Sequence, residues 1–198
     1  MTLEPEAALQ EVLAWVEEHI DLDHVAEVEE RHRAAMSYQP VDRPPVAVGC
    51  DPSPGLPYFA YAEGFADPVK MMVNELVRPF CHTKANSPGV ASSLETGDDF
   101  VLSIRANYGV GLVASLFGSE IVVKPNSMPW ARPIGREGIV KALDRGVPDL
   151  RGGLGGRVME TMDFYRQKLA DYPRVPGHPH HPAGYAGPGG QSAPPVGW

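Results

Sequence analysis

Apolar residues recur at helical spacing over residues 2–20, where Val12, Leu13, Val16 and Ile20 share a face. Pro5 suits a first helical turn, and Glu4 and Glu6 suit the positive end of the helix dipole. Residues 22–36 continue as a second, heavily charged helical stretch that ends before Pro40. Residues 45–48 read as a first strand, and the proline-rich residues 51–57 as a loop, because proline removes a backbone donor and fixes φ. Tyr58, Phe59 and Tyr61 form an aromatic cluster on that loop, either buried beneath the domain or turned toward a ligand. Asp67-Pro68 is a helix start, with Asp at the N-cap and Pro at the first helical position. Val69, Met72, Val73, Leu76 and Val77 then form one apolar stripe that Pro79 ends. Further helices are predicted over residues 135–144 and 157–172, the second with Val158, Met162, Tyr165 and Leu169 on one face.

The longest apolar-rich region is residues 99–130. Residues 100–104 read as a buried strand, 105–109 as a polar break closed by glycine, 112–117 as a short helix and 121–123 as a second strand. Strand, polar loop, helix, strand is the grammar of an α/β domain, whose chemistry sits on loops at the carboxyl ends of strands. Arg105, Asn107 and Tyr108 are therefore the first candidate site residues. A structural role competes: Asn107 and Gly109 can simply turn the chain, and Tyr108 can cap a core. In the extended segment that follows, Trp130 and Arg132 fall on one side of a strand and either clamp a ligand or close the core.

Composition narrows the class. A chain of 198 residues with 43% hydrophobic content can build one real core. A formal charge of −8 argues against binding to a nucleic-acid backbone. Two cysteines, Cys50 and Cys81, make no disulfide framework and fit a reducing compartment. The first ten residues lack the basic and apolar regions of a signal peptide, and no apolar run reaches the roughly 18 residues of a membrane span. The expectation is a cytoplasmic protein without membrane or nucleic-acid partners.

Other chemistry-bearing residues read as structural. His24 and His32 fall on the charged helix and read as solvated. Cys81-His82 has no companion at zinc-ligand spacing, so no metal site is assigned. Asp98-Asp99 reads as a solvated turn, since neighbours on a strand point to opposite faces. The glycines of residues 152–156 are not a dinucleotide fingerprint: Val158 breaks the pattern and no strand precedes it. Residues 174–198 contain six Pro, six Gly and no Leu, Ile, Met or Phe, too little apolar surface to order themselves. Gly 21 and Pro 21 together are about a fifth of the chain, and this tail holds much of the excess.

Four stretches, RHRAAMSYQPVDRPPV (31–46), EGFADPVKMMVNEL (63–76), IRANYGVGLVASLFG (104–118) with MPW (128–130), and METMDFYRQKLADYP (159–173), resemble the uroporphyrinogen decarboxylase-like superfamily in order and spacing. That group includes porphyrinogen decarboxylases and corrinoid-protein methyltransferases. The resemblance implies a (β/α)8 TIM-type barrel with its site at the carboxyl ends of the strands. It implies decarboxylation or methyl transfer on a small or tetrapyrrole-like ligand. Under this reading Arg105 pairs a carboxylate, Asn107 and Tyr108 give hydrogen bonds, and Trp130 stacks. The family's arginine motif has no counterpart in AVGCDPSPG (47–55), and no Asp matches the family's catalytic one, the stretch 104–108 offering Asn107 instead, so no catalytic residue is assigned.

A barrel of this kind takes about 250 residues, and the resemblance stops at Pro173. The expected architecture is thus an incomplete α/β barrel: an N-terminal helical segment (1–37), a partial barrel domain (38–173) and a disordered tail (174–198). Synonymous codons for residues 178–198, read one base later, permit a Gln-Pro-Asp and Gln-Gly-Pro run like the family's next segment, so the tail is read as frameshifted. No cofactor is evident; the zinc and corrinoid of the methyltransferases would belong to a missing C-terminal half. Exposed barrel edges would favour self-association. A non-catalytic, ligand-binding or inert fragment is the alternative.

Overall fold

The computed structural model describes residues 4–47, 56–80, 99–125 and 127–175. Helix α1 (Pro5–His19) begins with Pro5 and lays Ala8, Leu9, Val12, Leu13 and Val16 along one buried stripe. Helix α2 (Leu22–Met36) is capped by Asp21, whose Oδ1 accepts from the His24 N–H at 3.0 Å. Its outer surface is charged, and only His24 and Val28 are buried.

A short helix, α3 (Tyr61–Ala66), leads into α4 (Pro68–Phe80). Asp67 starts α4 as its sequence predicts, accepting from the Val69 N–H at 2.9 Å. From Met71 to Val77 every residue of α4 is buried, and it packs against α1, α3 and α7. A helix buried all round is the centre of a fold rather than its shell. Helix α5 (Leu112–Leu116), the hairpin of β1 (Ile121–Lys124) and β2 (Ser127–Ala131), α6 (Gly135–Asp144) and α7 (Gly155–Leu169) complete the order. In α6 only Ala142 is buried; Ile139, Val140 and Leu143 are exposed.

This architecture corrects the expected barrel. The sheet has two strands, antiparallel, with Ile121 opposite Ala131 and Val122 opposite Trp130. Strands joined by so short a connection can pair only antiparallel, whereas parallel neighbours need a crossover of a dozen residues or more. Residues 99–109 form neither helix nor strand: the Asp99 N–H donates to the Val46 carbonyl at 2.7 Å, but no ladder continues from that bond among the described residues. Residues 45–47 likewise form no strand. The apolar run 100–104, read as a buried strand, supplies core instead: Ile104, with Tyr108 beyond it, joins Met71, Met72, Leu76 and Tyr165 in one cluster.

Three smaller readings also change. Asp99 is fully buried, not a solvated turn; Asp98 lies outside the described residues, as do Cys50, Cys81, His82 and most of the expected tail. His24 is buried and His32 Nε2 bonds the Asp99 carbonyl at 2.7 Å, so neither is a plain surface histidine. Arg174 and Val175, assigned to the tail, pack on α1: the Arg174 N–H donates to the Glu17 carboxylate at 3.1 Å, and Val175 is buried.

Tyr165 on α7 is completely buried, and its hydroxyl has no hydrogen-bond partner among the described residues. Burial pushes its phenol far above the ordinary range, and the nearby Glu75 and Tyr108 add to the effect. A buried donor left unmade costs about 1–3 kcal/mol. Tyr165→Phe keeps the ring and removes that donor, so it is expected to raise stability by about 1 kcal/mol in urea unfolding. A lower midpoint for the variant would show that the hydroxyl is satisfied.

Candidate functional site

The site lies where residues 105–107 cross α4. Arg105 and Asn107 both reach Glu75, while Ile104 and Tyr108 are buried in the core. Asn107 Nδ2 donates to Glu75 Oε1 at 2.7 Å, and Arg105 Nε lies 3.8 Å from Glu75 Oε2. Glu75 is a buried carboxylate, with a side chain 9% exposed, whereas that of Arg105 is 62% exposed.

The backbone here is held from several sides. The Asn107 N–H points at Met71 Sδ, 3.1 Å away. The Tyr61 hydroxyl lies 3.2 Å from Asn107 Oδ1 and 3.3 Å from its carbonyl, and donates into that pair. Asn74, one residue before Glu75, bonds Phe59 twice: it accepts from the Phe59 N–H and donates to the Phe59 carbonyl, both at 2.9 Å. That double bond fixes residues 58–60 against α4. Gly109 takes φ +76°, and a Cβ there would lie 3.1 Å from the Pro129 ring and carbonyl, so this close approach to β2 favours glycine.

These groups surround a cleft lined by Tyr58, Tyr61, Gly64, Phe65, Met71, Asn74, Glu75 and Asn107. The space inside it is about 20 Å³. That is room for about one water-sized group, so the cleft takes the tip of a small polar group and not a tetrapyrrole ring. A buried carboxylate, two amides, two phenols and a neighbouring guanidinium can orient a small polar group there. Among the described residues no cluster of three or more His, Cys, Asp or Glu side chains is placed to hold a metal ion. No helix among them is long and apolar enough to cross a membrane.

Of the four residues singled out from sequence, Arg105 and Asn107 come together at Glu75. Tyr108 turns away: its hydroxyl bonds Thr161 Oγ1 at 2.8 Å, and its ring meets Phe65 edge-on at 5.2 Å. The Arg157 guanidinium sits 4.7 Å from the Tyr108 centroid and 4.9 Å from that of Phe65, tying α7 to α3. Trp130 is 49% exposed on β2 opposite Val122 and does not line the cleft. Arg132 pairs with Glu120 at 2.8 Å on the surface.

Sequence reading passed over Glu75 and Asn74, and named Tyr61 only within an aromatic cluster. The signal was present: Asn74-Glu75 is a polar pair inside the otherwise apolar run 71–77. On a helix buried all round, such a pair must be buried with partners.

No family model, no curated protein and no solved structure matches this chain.

Proposed function

We propose that this chain is a ligand-binding protein related to the uroporphyrinogen decarboxylase-like group, and that the mouth of its cleft takes the carboxylate of a small molecule. The observation that carries the reading is the convergence of Arg105 and Asn107 on Glu75 beside the cleft. Arg105 supplies the cation. It is mostly exposed and held only loosely by Glu75 at 3.8 Å, so its guanidinium can meet a carboxylate at the mouth. Asn107 and Tyr61 fix the polar wall of the cleft through their mutual hydrogen bond. Tyr108 and Trp130 act elsewhere: Tyr108 as a packing residue between α3 and α7, Trp130 as an exposed ring on the hairpin.

The test is a calorimetric or NMR titration with succinate and glutarate. Saturable binding is expected, weakened about tenfold by Arg105→Ala, the loss of one charge-assisted hydrogen bond. Unchanged affinity in Arg105→Ala, or no binding by any carboxylate, overturns the proposal.

Turnover is the second reading, and its support is the order and spacing of the four sequence stretches. Release of carbon dioxide from a porphyrinogen, or methyl transfer from a methylated corrinoid, would place catalysis ahead of binding alone.

A further inference from the structure

We propose that this chain forms a two-fold symmetric dimer in which α6 packs antiparallel against α6 of a second copy. The helix lies on its own fold with its small side inward. Ala142 is buried and Gly138 half-buried, and a Cβ on Gly138 would come to 2.8 Å from Ile134 Cβ. The large apolar side chains face out: Ile139, Val140 and Leu143 are 49% to 70% exposed. They follow Arg136 at i+3, i+4 and i+7, so the four residues make one stripe. Val147 and Leu150 lie exposed just beyond the helix end. Between them and the helix, Arg145 donates to the Phe117 carbonyl at 3.4 Å, which ties this end to α5. Single exposed apolar residues are ordinary, but a stripe that holds the whole large side of a helix marks a contact surface. A helix of 10 residues is also too short to persist on propensity alone, so it gains from cover on that stripe.

The charges of α6 decide what covers it. Arg136 and Lys141 are balanced by Glu137 and Asp144, and none of the four makes an ion pair among the described residues. An anionic membrane or a nucleic acid selects a surplus of cations, which this balance does not offer. An antiparallel copy uses the balance fully. In such a pair the residue numbers facing each other add to a constant. About a centre between Ile139 and Val140, Arg136 comes opposite Asp144 of the second copy, and Glu137 opposite Lys141 of the second copy. Both matches fall within one residue's rise, about 1.5 Å. The two-fold axis repeats each, so ion pairs flank a seam of Ile139, Val140 and Leu143. The same surface serves both partners, so association closes at two. One helix and two flanking side chains bury less than the roughly 800 Å² per partner of a standard interface, and the dimer is accordingly weak. Association runs through a helix face, not through the barrel edges expected from sequence.

Sedimentation velocity of the intact chain, from about 1 μM to about 500 μM, is the experiment. A reversible monomer–dimer equilibrium is expected. Leu143→Lys, at a position 70% exposed, is expected to leave a monomer throughout. Arg136→Glu and Asp144→Arg are each expected to weaken the dimer at least about fivefold, since each turns two attractions into repulsions. Both put the charge that the helix dipole prefers, an acid in the first turn and a base in the last, so the loss cannot come from melting α6. Combined, they restore opposite charges and are expected to return the affinity to within about twofold of wild type. A monomer at every concentration, open-ended assembly, a dimer that survives Leu143→Lys, or a double variant no tighter than the single ones overturns the proposal.

Discussion

Asp99→Asn is expected to lower the unfolding free energy by about 2–4 kcal/mol, among the largest effects of any polar substitution in this chain. The Asp99 side chain is 0% exposed and accepts from three residues. Arg31 and Arg43 both pair with its carboxylate, Arg43 through two nitrogens, and the Val46 N–H donates to Oδ2 at 2.9 Å. Arg31 reaches on to Asp42, with Nε 2.9 Å from Oδ1. One carboxylate thus joins the end of α2, the segment 42–46 and the start of the segment 99–109 that carries the site. Asparagine keeps the shape and removes the charge, leaving two guanidinium groups facing each other across a neutral amide.

The pH dependence has a definite sign. Burial alone would raise the Asp99 pKa, but hydrogen bonds from Arg43, the Val46 N–H and Arg31 outweigh it and hold the group at about 2, below the ordinary 3.8. A depressed carboxylate contributes stability that is fully present above its ordinary pKa and is lost as pH falls through the folded value. The gap between wild type and Asp99→Asn is therefore expected to be constant from neutral pH to about pH 4 and to shrink toward pH 2. Urea midpoints at several pH values check it. A gap of the same size at pH 2.5 and pH 7 would mean that the charge on Asp99 is not what holds these segments together.

Leu76→Ala is expected to cost about 2–5 kcal/mol, the range for removing a buried leucine side chain where neighbours cannot collapse into the space. Leu76 is 0% exposed on a helix packed against α1, α3 and α7. Three rigid elements hold the walls of the resulting void, so the upper half of that range applies. Leu150→Ala, at a position 63% exposed, is the comparison and is expected to stay within about 0.5 kcal/mol of wild type. Equal midpoints for the two variants would remove α4 from the centre of the fold. The binding reading would suffer as well, because Glu75 and Asn74 depend on α4 for their positions.

Helices were the legible part. Their starts and stops are written in local chemistry, as at Pro5, Asp21 and Asp67-Pro68, and their buried faces in a 3.6-residue period. Helix α6 at Gly135–Asp144 coincides with its predicted bounds, and α5 and β1 lie within one residue of theirs. Helix α3 was missed: its six residues are too few for a period to show. The strand reading of residues 100–104 failed for a different reason. A short apolar run records burial, not the partner that buries it, and here the partner is a helix.

The site was half legible. Arg105 and Asn107 stood out as polar residues of the glycine-closed break that follows an apolar run. That they meet Glu75, thirty or more residues away, depends on how α4 is rotated, which no local pattern encodes. Asp99 shows the same division. Its burial depends on two arginines brought from 56 and 68 positions away, and until they arrive an aspartate beside another aspartate is indistinguishable from a turn. The amino-acid sequence alone determined where the longer helices lie, which of their faces are apolar and which polar residues are available for a site. Tertiary structure alone decided that α4 is the centre, that the sheet is a hairpin rather than a barrel, and that a buried carboxylate stands beside Arg105. Local propensities act over a few residues, whereas burial and ion pairing belong to whichever distant segments the packed core brings together.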